Sequence, residues 1–382
     1  MIYFDNAATT YPKPANVVAS VNAAIVNYGG NPGRGGHEYS MRVSEKIYDI
    51  RNKVARFFNA NAENVIFTCN CTMALNFAIK GTLAQDDHVI ISSLEHNAVL
   101  KPVHKLYSEN KITYDIAKVY NEDDETVQEF KSKIKENTKA IVCMHASNVS
   151  GKILPIEKIA KLCKENHLTF IVDAAQTAGT IPIDIKKMNI DILCTAGHKG
   201  LYGVTGTGLL ILNEGIKLNT IIEGGTGSAS TQLDPPDFYP DRLEAGTLNT
   251  PGIFSIGAGI DFINYIGMEK IYKHEFELCK YVYNNFKMNN NIHLIINDYL
   301  MNRFVPLVSF NIGDLKSDVA VDLLNDKGFA LRGGLHCSPL AHKNYKTIDS
   351  GLIRFAPSYF TQWSSVDSFV KIVQDISKKN TI

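Results

Sequence analysis

Two apolar runs end in residues able to act together on a carbonyl cofactor. Phe170-Ile171-Val172 leads into Asp173-Ala174-Ala175-Gln176, and a second run leads into Gly197-His198-Lys199. Strand ends are where open α/β sheets place their ligands. A lysine held there and partly desolvated has a lowered pKa, which frees its amine to condense with an aldehyde. A carboxylate beside a pyridine nitrogen keeps that nitrogen protonated, as the electron sink of pyridoxal 5′-phosphate (PLP) requires. Asp173 and Lys199 thus point to PLP rather than to a nicotinamide or ATP, although a surface lysine and a helix-capping aspartate explain these two residues alone equally well. The neighbouring motifs shift that balance. Phe67-Thr68-Cys69-Asn70-Cys71-Thr72-Met73 reads as a strand, a small-residue turn and a helix, so free N–H groups, a helix dipole and the Thr72 hydroxyl face any phosphate placed there. The bland alternative is an N-cap at Thr72 with Cys69 and Cys71 as small core residues. His96, in Glu95-His96-Asn97, follows another strand, where an imidazole can lie over a pyridine ring and move protons; a lone histidine is more often structural.

The elements that must position these residues follow from the alternation of short β-branched runs with amphipathic segments between about 60 and 215. Strands are expected at Val65–Thr68, His88–Ser92, Ile112–Val119, Ala140–His145, Thr169–Asp173, Ile190–Thr195 and Gly208–Leu212, with helices such as Glu125–Lys135 and Ile156–Glu165. That is an α/β fold on a mainly parallel sheet. From 220 to 251 a stretch rich in Gly, Pro, Ser and Thr is too long for a plain connection and reads as an active-site or interface loop. One long helical pattern then runs from Ile253 to Met288 into a smaller C-terminal α/β region. The expected division is a large cofactor domain over 15–255 and a small domain over 256–382, joined by segment 1–14. A chain of 382 residues supports two domains with a cleft between them.

Charge sets further bounds. Lys+Arg and Asp+Glu number 39 each, so no basic surplus favours nucleic acid or an anionic membrane, and a small-molecule substrate is expected. Seven scattered cysteines without a C-x-x-C pair read as reduced thiols and give no metal site. No run approaches the ~20 apolar residues of a membrane span, and the first residues lack a signal-peptide pattern, so a cytoplasmic location is expected. Gly203-x-x-Gly206-x-Gly208 enters a strand rather than leaving one, which argues against a dinucleotide loop.

Taken in order, the motifs resemble the class V aminotransferase family in its cysteine desulfurase and selenocysteine lyase branch. The match runs nearly end to end: Tyr3-Phe4-Asp5-Asn6-Ala7-Ala8-Thr9-Thr10, Asn31-Pro32-Gly33-Arg34-Gly35-Gly36-His37, Glu95-His96, Ser147-Asn148, Val172 to Gln176, and Gly197-His198-Lys199. It continues through Arg242 to Asn249, Arg332-Gly333-Gly334-Leu335-His336-Cys337 and Ile353-Arg354-Phe355. The resemblance implies PLP-dependent transferase fold type I with a seven-stranded sheet. It makes Lys199 the Schiff-base lysine, pairs Asp173 with the ring nitrogen, gives Gln176 the ring hydroxyl and stacks His96 on the ring. It puts Cys71, Thr72 and His198 around the phosphate, brings Asn148 to cofactor and substrate, and sends Thr247 to the phosphate of a partner subunit in a homodimer. Arg354 becomes the clamp for the substrate carboxylate, for which a bidentate guanidinium has the right shape. Cys337 becomes the sulfur-accepting nucleophile, with His336 and Arg332 close by in sequence to favour its thiolate; its bland alternative is a buried structural thiol.

The implied reaction is conversion of L-cysteine to L-alanine with a persulfide on Cys337, Lys199 taking the Cα proton and His96 assisting proton transfer. Departures from the family pattern are Ala196 in place of a phosphate-binding serine or threonine, Val204 in place of proline, and Ala356-Pro357 after Arg354. Pro339 close behind Cys337 implies a compact nucleophile loop and hence a separate sulfur-acceptor protein. A selenocysteine lyase shares every one of these residues. A transaminase or other PLP lyase on the same scaffold would give a keto acid without needing Cys337, and a non-catalytic PLP-binding protein would need none of the chemistry.

Overall fold

Apolar runs bounded by turn residues become strands, and the amphipathic runs between them become helices. The computed structural model describes residues 1–33, 35–229 and 231–379. The chain opens on β1 (Ile2–Tyr3), α1 (Ala15–Asn27) and α2 (Glu38–Phe58). Strands and helices then alternate: β2 (Val65–Thr68), α3 (Cys71–Thr82), β3 (Asp87–Ser92), α4 (Asn97–Ser108), β4 (Ile112–Ala117), α5 (Asp123–Ser132), β5 (Thr138–Met144) and α6 (Ile156–Glu165). Next come β6 (Thr169–Asp173), β7 (Ile192–Ala196), β8 (Gly208–Leu212), α7 (Thr250–Ile266) and α8 (Met268–Lys287). The remainder is β9 (Ile292–Leu294), β10 (Val308–Ile312), α9 (Ser317–Asp326), β11 (Phe329–Ala330), α10 (Pro339–Tyr345), β12 (Ile353–Phe355) and α11 (Trp363–Lys379).

The seven expected strands form one sheet in the order β2-β8-β7-β6-β5-β3-β4. All neighbours are parallel except β8, which runs antiparallel to both β7 and β2. Helices cover both faces, so successive residues of a strand enter different cores: Phe170 and Val172 pack in the layer with α2, α6 and α7, and Ile171 packs in the layer with α3 and α4. Because the crossovers return each parallel strand in the same direction, the carboxyl ends of β3, β5, β6 and β7 share one edge. That edge carries the site.

A three-stranded antiparallel sheet, β12-β10-β9, packs with α8 and α11 into a second core that includes Phe276, Phe310, Phe355 and Phe369. Phe4 is fully buried in that core, and β1 pairs in parallel with β11, so the N-terminal segment is attached to the smaller unit. The single helix expected over 253–288 is two helices. They part at Gly267, whose φ of +94° suits glycine and ends the hydrogen-bond ladder of α7. The expected domain boundary at 255/256 falls inside α7, which packs on α1 and α2 of the large unit, whereas α8 packs in the smaller one.

The 220–249 stretch carries no helix or strand among the described residues, and it is not loose. Glu244 takes both Nη atoms of the buried Arg51 at 2.8 Å and accepts the Phe67 N–H at 2.7 Å, fastening the loop to β2. Asn249 then caps α7 through the Gly252 N–H. Among the described residues no helix is long and apolar enough to cross a membrane.

Candidate active site

Eight of the expected residues line one cavity at the common strand edge: Cys71, Thr72, His96, Asn148, Asp173, Gln176, His198 and Lys199. Asp173 is the last residue of β6, and Lys199 stands three residues past the end of β7. The tight turn between β7 and Lys199 requires Gly197, where a Cβ would come within 2.4 Å of the Thr207 hydroxyl. His96 is the N-cap of α4 directly after β3. The N-terminus of α3 forms another part of the wall, but its cap is Asn70, whose Oδ1 accepts the Met73 N–H at 2.8 Å; Thr72 lies inside the helix.

Burial dominates the electrostatics. It pushes the Lys199 ammonium down from the ordinary lysine range, opposed by Asp173 and assisted by Arg354 and Arg332. Asp173, 5% exposed, accepts the Ala175 N–H at 2.9 Å and the Cys71 thiol at 3.5 Å. Burial and then Asp173 hold the Cys71 thiol well above its usual range, so Cys71 is a neutral donor to Asp173 and not a nucleophile. His96 is pushed down to about 4, first by burial, with Asp173 opposing. Its Nδ1 accepts the Ala98 N–H at 3.0 Å, so the neutral ring carries its proton on Nε2. That tautomer makes His96 an Nε2–H donor whose Nδ1 is engaged by the backbone. His198 is also pushed down to about 4 by burial and by Lys199 and Lys13, and its buried Nδ1 has no partner among the described residues.

A lysine with a lowered pKa, a buried carboxylate at the next strand end, a helix N-terminus and a buried imidazole in need of a partner together fit PLP. Ala196 lines the same cavity with a methyl group where a hydroxyl donor is usual in the family pattern. The Gln176 Nε2 donates to the Ala7 main-chain oxygen at 3.1 Å, which brings the N-terminal segment to the rim.

Cys337 sits on the short connection between β11 and α10, and that connection is tied to the cavity wall. The Asn97 N–H donates to the Cys337 oxygen at 2.8 Å. Asn148 donates through Nδ2 to the His336 oxygen at 2.8 Å and accepts the Ser338 hydroxyl on Oδ1 at 2.7 Å. Asn148 therefore commits half of its amide to the Cys337 loop, leaving one N–H and one lone pair for the cofactor and substrate contacts expected of it. His336 and Cys337 both adopt positive φ, +49° and +59°, and the loop turns so sharply that His336 is buried while Cys337 is exposed. The His336 Nε2 donates to the Leu352 oxygen at 3.0 Å, and burial pushes the ring down to about 2. His336 is thus a neutral structural group turned away from the sulfur, and the side chain beside Cys337 is that of Arg332, whose Nη2 is 3.4 Å from the sulfur.

Arg354 is 1% exposed and meets the cavity wall at Asn148 rather than lining the cavity itself. Its Nη1 donates to the Asn148 oxygen at 3.0 Å and its Nη2 pairs with Asp5 Oδ1 at 2.8 Å. Asp5, Asn97 and Ser338 went without a role in the sequence reading; only their fold-mediated partners reveal them. Thr247 does not line the Lys199 cavity. It borders a separate one between the 220–249 loop and the start of α3. Arg34, in the glycine-rich motif, lies outside the described residues.

A doubly covered, mainly parallel sheet with a lysine and an aspartate at adjacent strand ends defines a PLP enzyme of fold type I. The aminotransferase class-V family model matches residues 2–369, and the chain belongs to that family. It is 30% identical to a probable cysteine desulfurase of Pyrococcus abyssi over 99% of this chain and 94% of that protein. It is 27% identical to the cysteine desulfurase IscS of Dictyoglomus turgidum, covering 99% and 95%. Among solved structures it superposes on the apo structure of a cysteine desulfurase from Thermococcus onnurineus NA1 with a TM-score of 0.90 and 28% identity, covering 99% and 95% of the two chains.

Proposed function

We propose that the protein is a PLP-dependent cysteine desulfurase that moves the sulfur of L-cysteine onto Cys337 and releases L-alanine. The observation that carries this reading is the exposed Cys337 thiol beside Arg332, on a loop pinned by Asn97 and Asn148 to the wall of the Lys199 cavity. PLP, when bound, supplies an electron sink for the pair released at Cα. Lys199 would hold it covalently, Asp173 would face its ring nitrogen, Gln176 its hydroxyl, His96 its ring, and Thr72 and His198 its phosphate. The Nζ of Lys199 takes the Cα proton and later returns one. The Cys337 thiolate forms its S–S bond as the C–S bond of the substrate breaks, the bonding pair passing to carbon, which is then protonated to give alanine. Arg354 pairs with the substrate carboxylate.

Two further parts of this reading concern partners. Val18, Ile25 and Val26 on α1 and Tyr39, Met41 and Tyr48 on α2 are exposed large hydrophobics, as are Leu233 and Phe238 in the loop that bears Thr247. Such a surface suits a homodimer in which Thr247 reaches the partner's cofactor phosphate. An exposed sulfur carrier on a short pinned loop suits transfer to a separate acceptor protein. Selenocysteine fits the same site, so the substrates are ranked by measuring alanine from L-cysteine and from L-selenocysteine and comparing kcat/KM. Alanine from cysteine with loss of activity on Cys337 substitution is the expected result; a keto acid product independent of Cys337 would overturn the assignment.

A further inference from the structure

Arg354 carries a carboxylate before any substrate arrives. Asp5 Oδ1 is 2.8 Å from Nη2, the Asn148 oxygen accepts from Nη1, and Nε is buried with no partner among the described residues. A buried guanidinium left unpaired is strongly unfavourable, so some carboxylate must sit beside it whether or not the substrate is present. The two ends of the pair differ in freedom. The Arg354 side chain is 1% exposed, whereas that of Asp5 is 19% exposed and opens toward solvent. The Asp5 main chain is fixed through its bridge to Ala356 and through the Ala356 N–H to the Phe4 oxygen, so only the carboxyl group has to turn. Asn6 and Ala7, the next two residues, border a neighbouring cavity that shares Gln176 and Lys199 with the first, and Arg354 reaches the wall of the first through Asn148.

We propose that Asp5 is a specificity-determining residue, an internal carboxylate that occupies Arg354 in the resting protein and is exchanged for the carboxylate of the incoming amino acid. This rests on the reading of Arg354 as the substrate clamp. Two carboxylates cannot share the same guanidinium edge without repulsion, so the substrate binds only the fraction of molecules in which Asp5 has turned away. An amine without a carboxylate leaves the Asp5–Arg354 pair intact and gains nothing from Arg354. A carboxylated substrate replaces one ion pair by another and keeps the buried cation neutralised throughout.

The test compares holoenzyme carrying Asp5→Asn, Asp5→Glu or Arg354→Gln with wild type. KM for L-cysteine is read from alanine release, and affinity for cysteamine, which lacks the carboxylate, from the change in cofactor absorbance. Removing the competitor should lower KM for L-cysteine about 5-fold in Asp5→Asn, while cysteamine affinity stays at the wild-type value and Asp5→Glu returns KM toward wild type. Asp5→Ser, which admits water beside the guanidinium, serves if Asp5→Asn fails to fold. An unchanged or raised KM in a variant that melts like wild type would overturn the exchange and make Asp5 a fixed counter-ion. An equal gain for cysteamine would also overturn it, because the effect would then not depend on the carboxylate. Failure of the clamp reading shows separately: Arg354→Gln would then keep the wild-type preference for L-cysteine over cysteamine.

Discussion

The Nη2 of Arg332 stands 3.4 Å from the Cys337 sulfur, while His336, the residue joined to Cys337, faces the opposite way into the core. The cation five residues away, not the imidazole next door, is the group that meets the sulfur. Arg332→Gln should slow alkylation of Cys337 by iodoacetamide at neutral pH about 5-fold, and His336→Gln should leave the rate of the folded protein nearly unchanged. Mass spectrometry of the modified Cys337 peptide over time measures both.

Cys337→Ala should reduce alanine formation from cysteine to background and leave substantial alanine formation from selenocysteine. A thiol is a poor leaving group from carbon and must be drawn off by an attacking sulfur, whereas selenium forms a weaker bond to carbon and a more acidic selenol. Lys199→Ala should end both reactions, since both begin with the Cα proton. Equal loss of the two activities in Cys337→Ala would show that the thiol also serves in selenium removal.

Purified protein should be yellow, and borohydride should abolish the colour by fixing the cofactor to Lys199. Peptide mapping then finds the added mass on Lys199 alone. Protein that stays colourless with added PLP would contradict the cofactor assignment.

Buried acids and imidazoles shape stability against pH in opposite directions. Burial holds His145 at about 4 and His336 at about 2 from an ordinary 6.5, so the unfolded chain binds protons that the folded chain refuses, and stability is lost as pH falls below 6.5. Burial raises Glu95 and Glu275 from 4.5 to about 8; the folded chain keeps protons that the unfolded chain has given up, and stability is lost as pH rises toward 8. Glu275, which accepts the Tyr202 hydroxyl at 3.3 Å, lines the neighbouring cavity that shares Lys199 and not the one that holds Asp173. Glu275→Gln should therefore flatten the decline between pH 6 and 8 by about 2 kcal/mol, read from denaturant midpoints at the two pH values.

How much of the site is legible in the sequence depends on how locally it is made. Asp173, His96 and Lys199 follow continuous apolar runs of strand length, and each such run ending in polar or small residues places them at or just past a strand end without reference to the rest of the chain. The seven strands are legible for the same reason. The Ile253–Met288 pattern hides its break because apolar residues continue at helical spacing across Gly267, and only the positive φ distinguishes that glycine from the tolerated ones in α7. The tautomer of His96, the commitment of Asn148 to the His336 and Ser338 groups, and the pairing of Asp5 with Arg354 all depend on contacts local spacing does not encode. The Asn148 partners lie 188 and 190 residues away and the Asp5 partner 349.

That last span bears on how the protein is made. Ile2–Phe4 leave the ribosome well before their strand partner at 329–330 and the phenylalanines around Phe4. Thr10, which donates to the His198 and Lys199 oxygens, waits for partners made 188 and 189 residues later. The large sheet can assemble from neighbouring segments as they appear, but the N-terminal strand has to remain extended and unpaired meanwhile, an exposed edge open to other chains. The slow step of folding should then be the docking of this early segment onto the later one, with the Arg354 pocket completed only when Asp5 arrives with it.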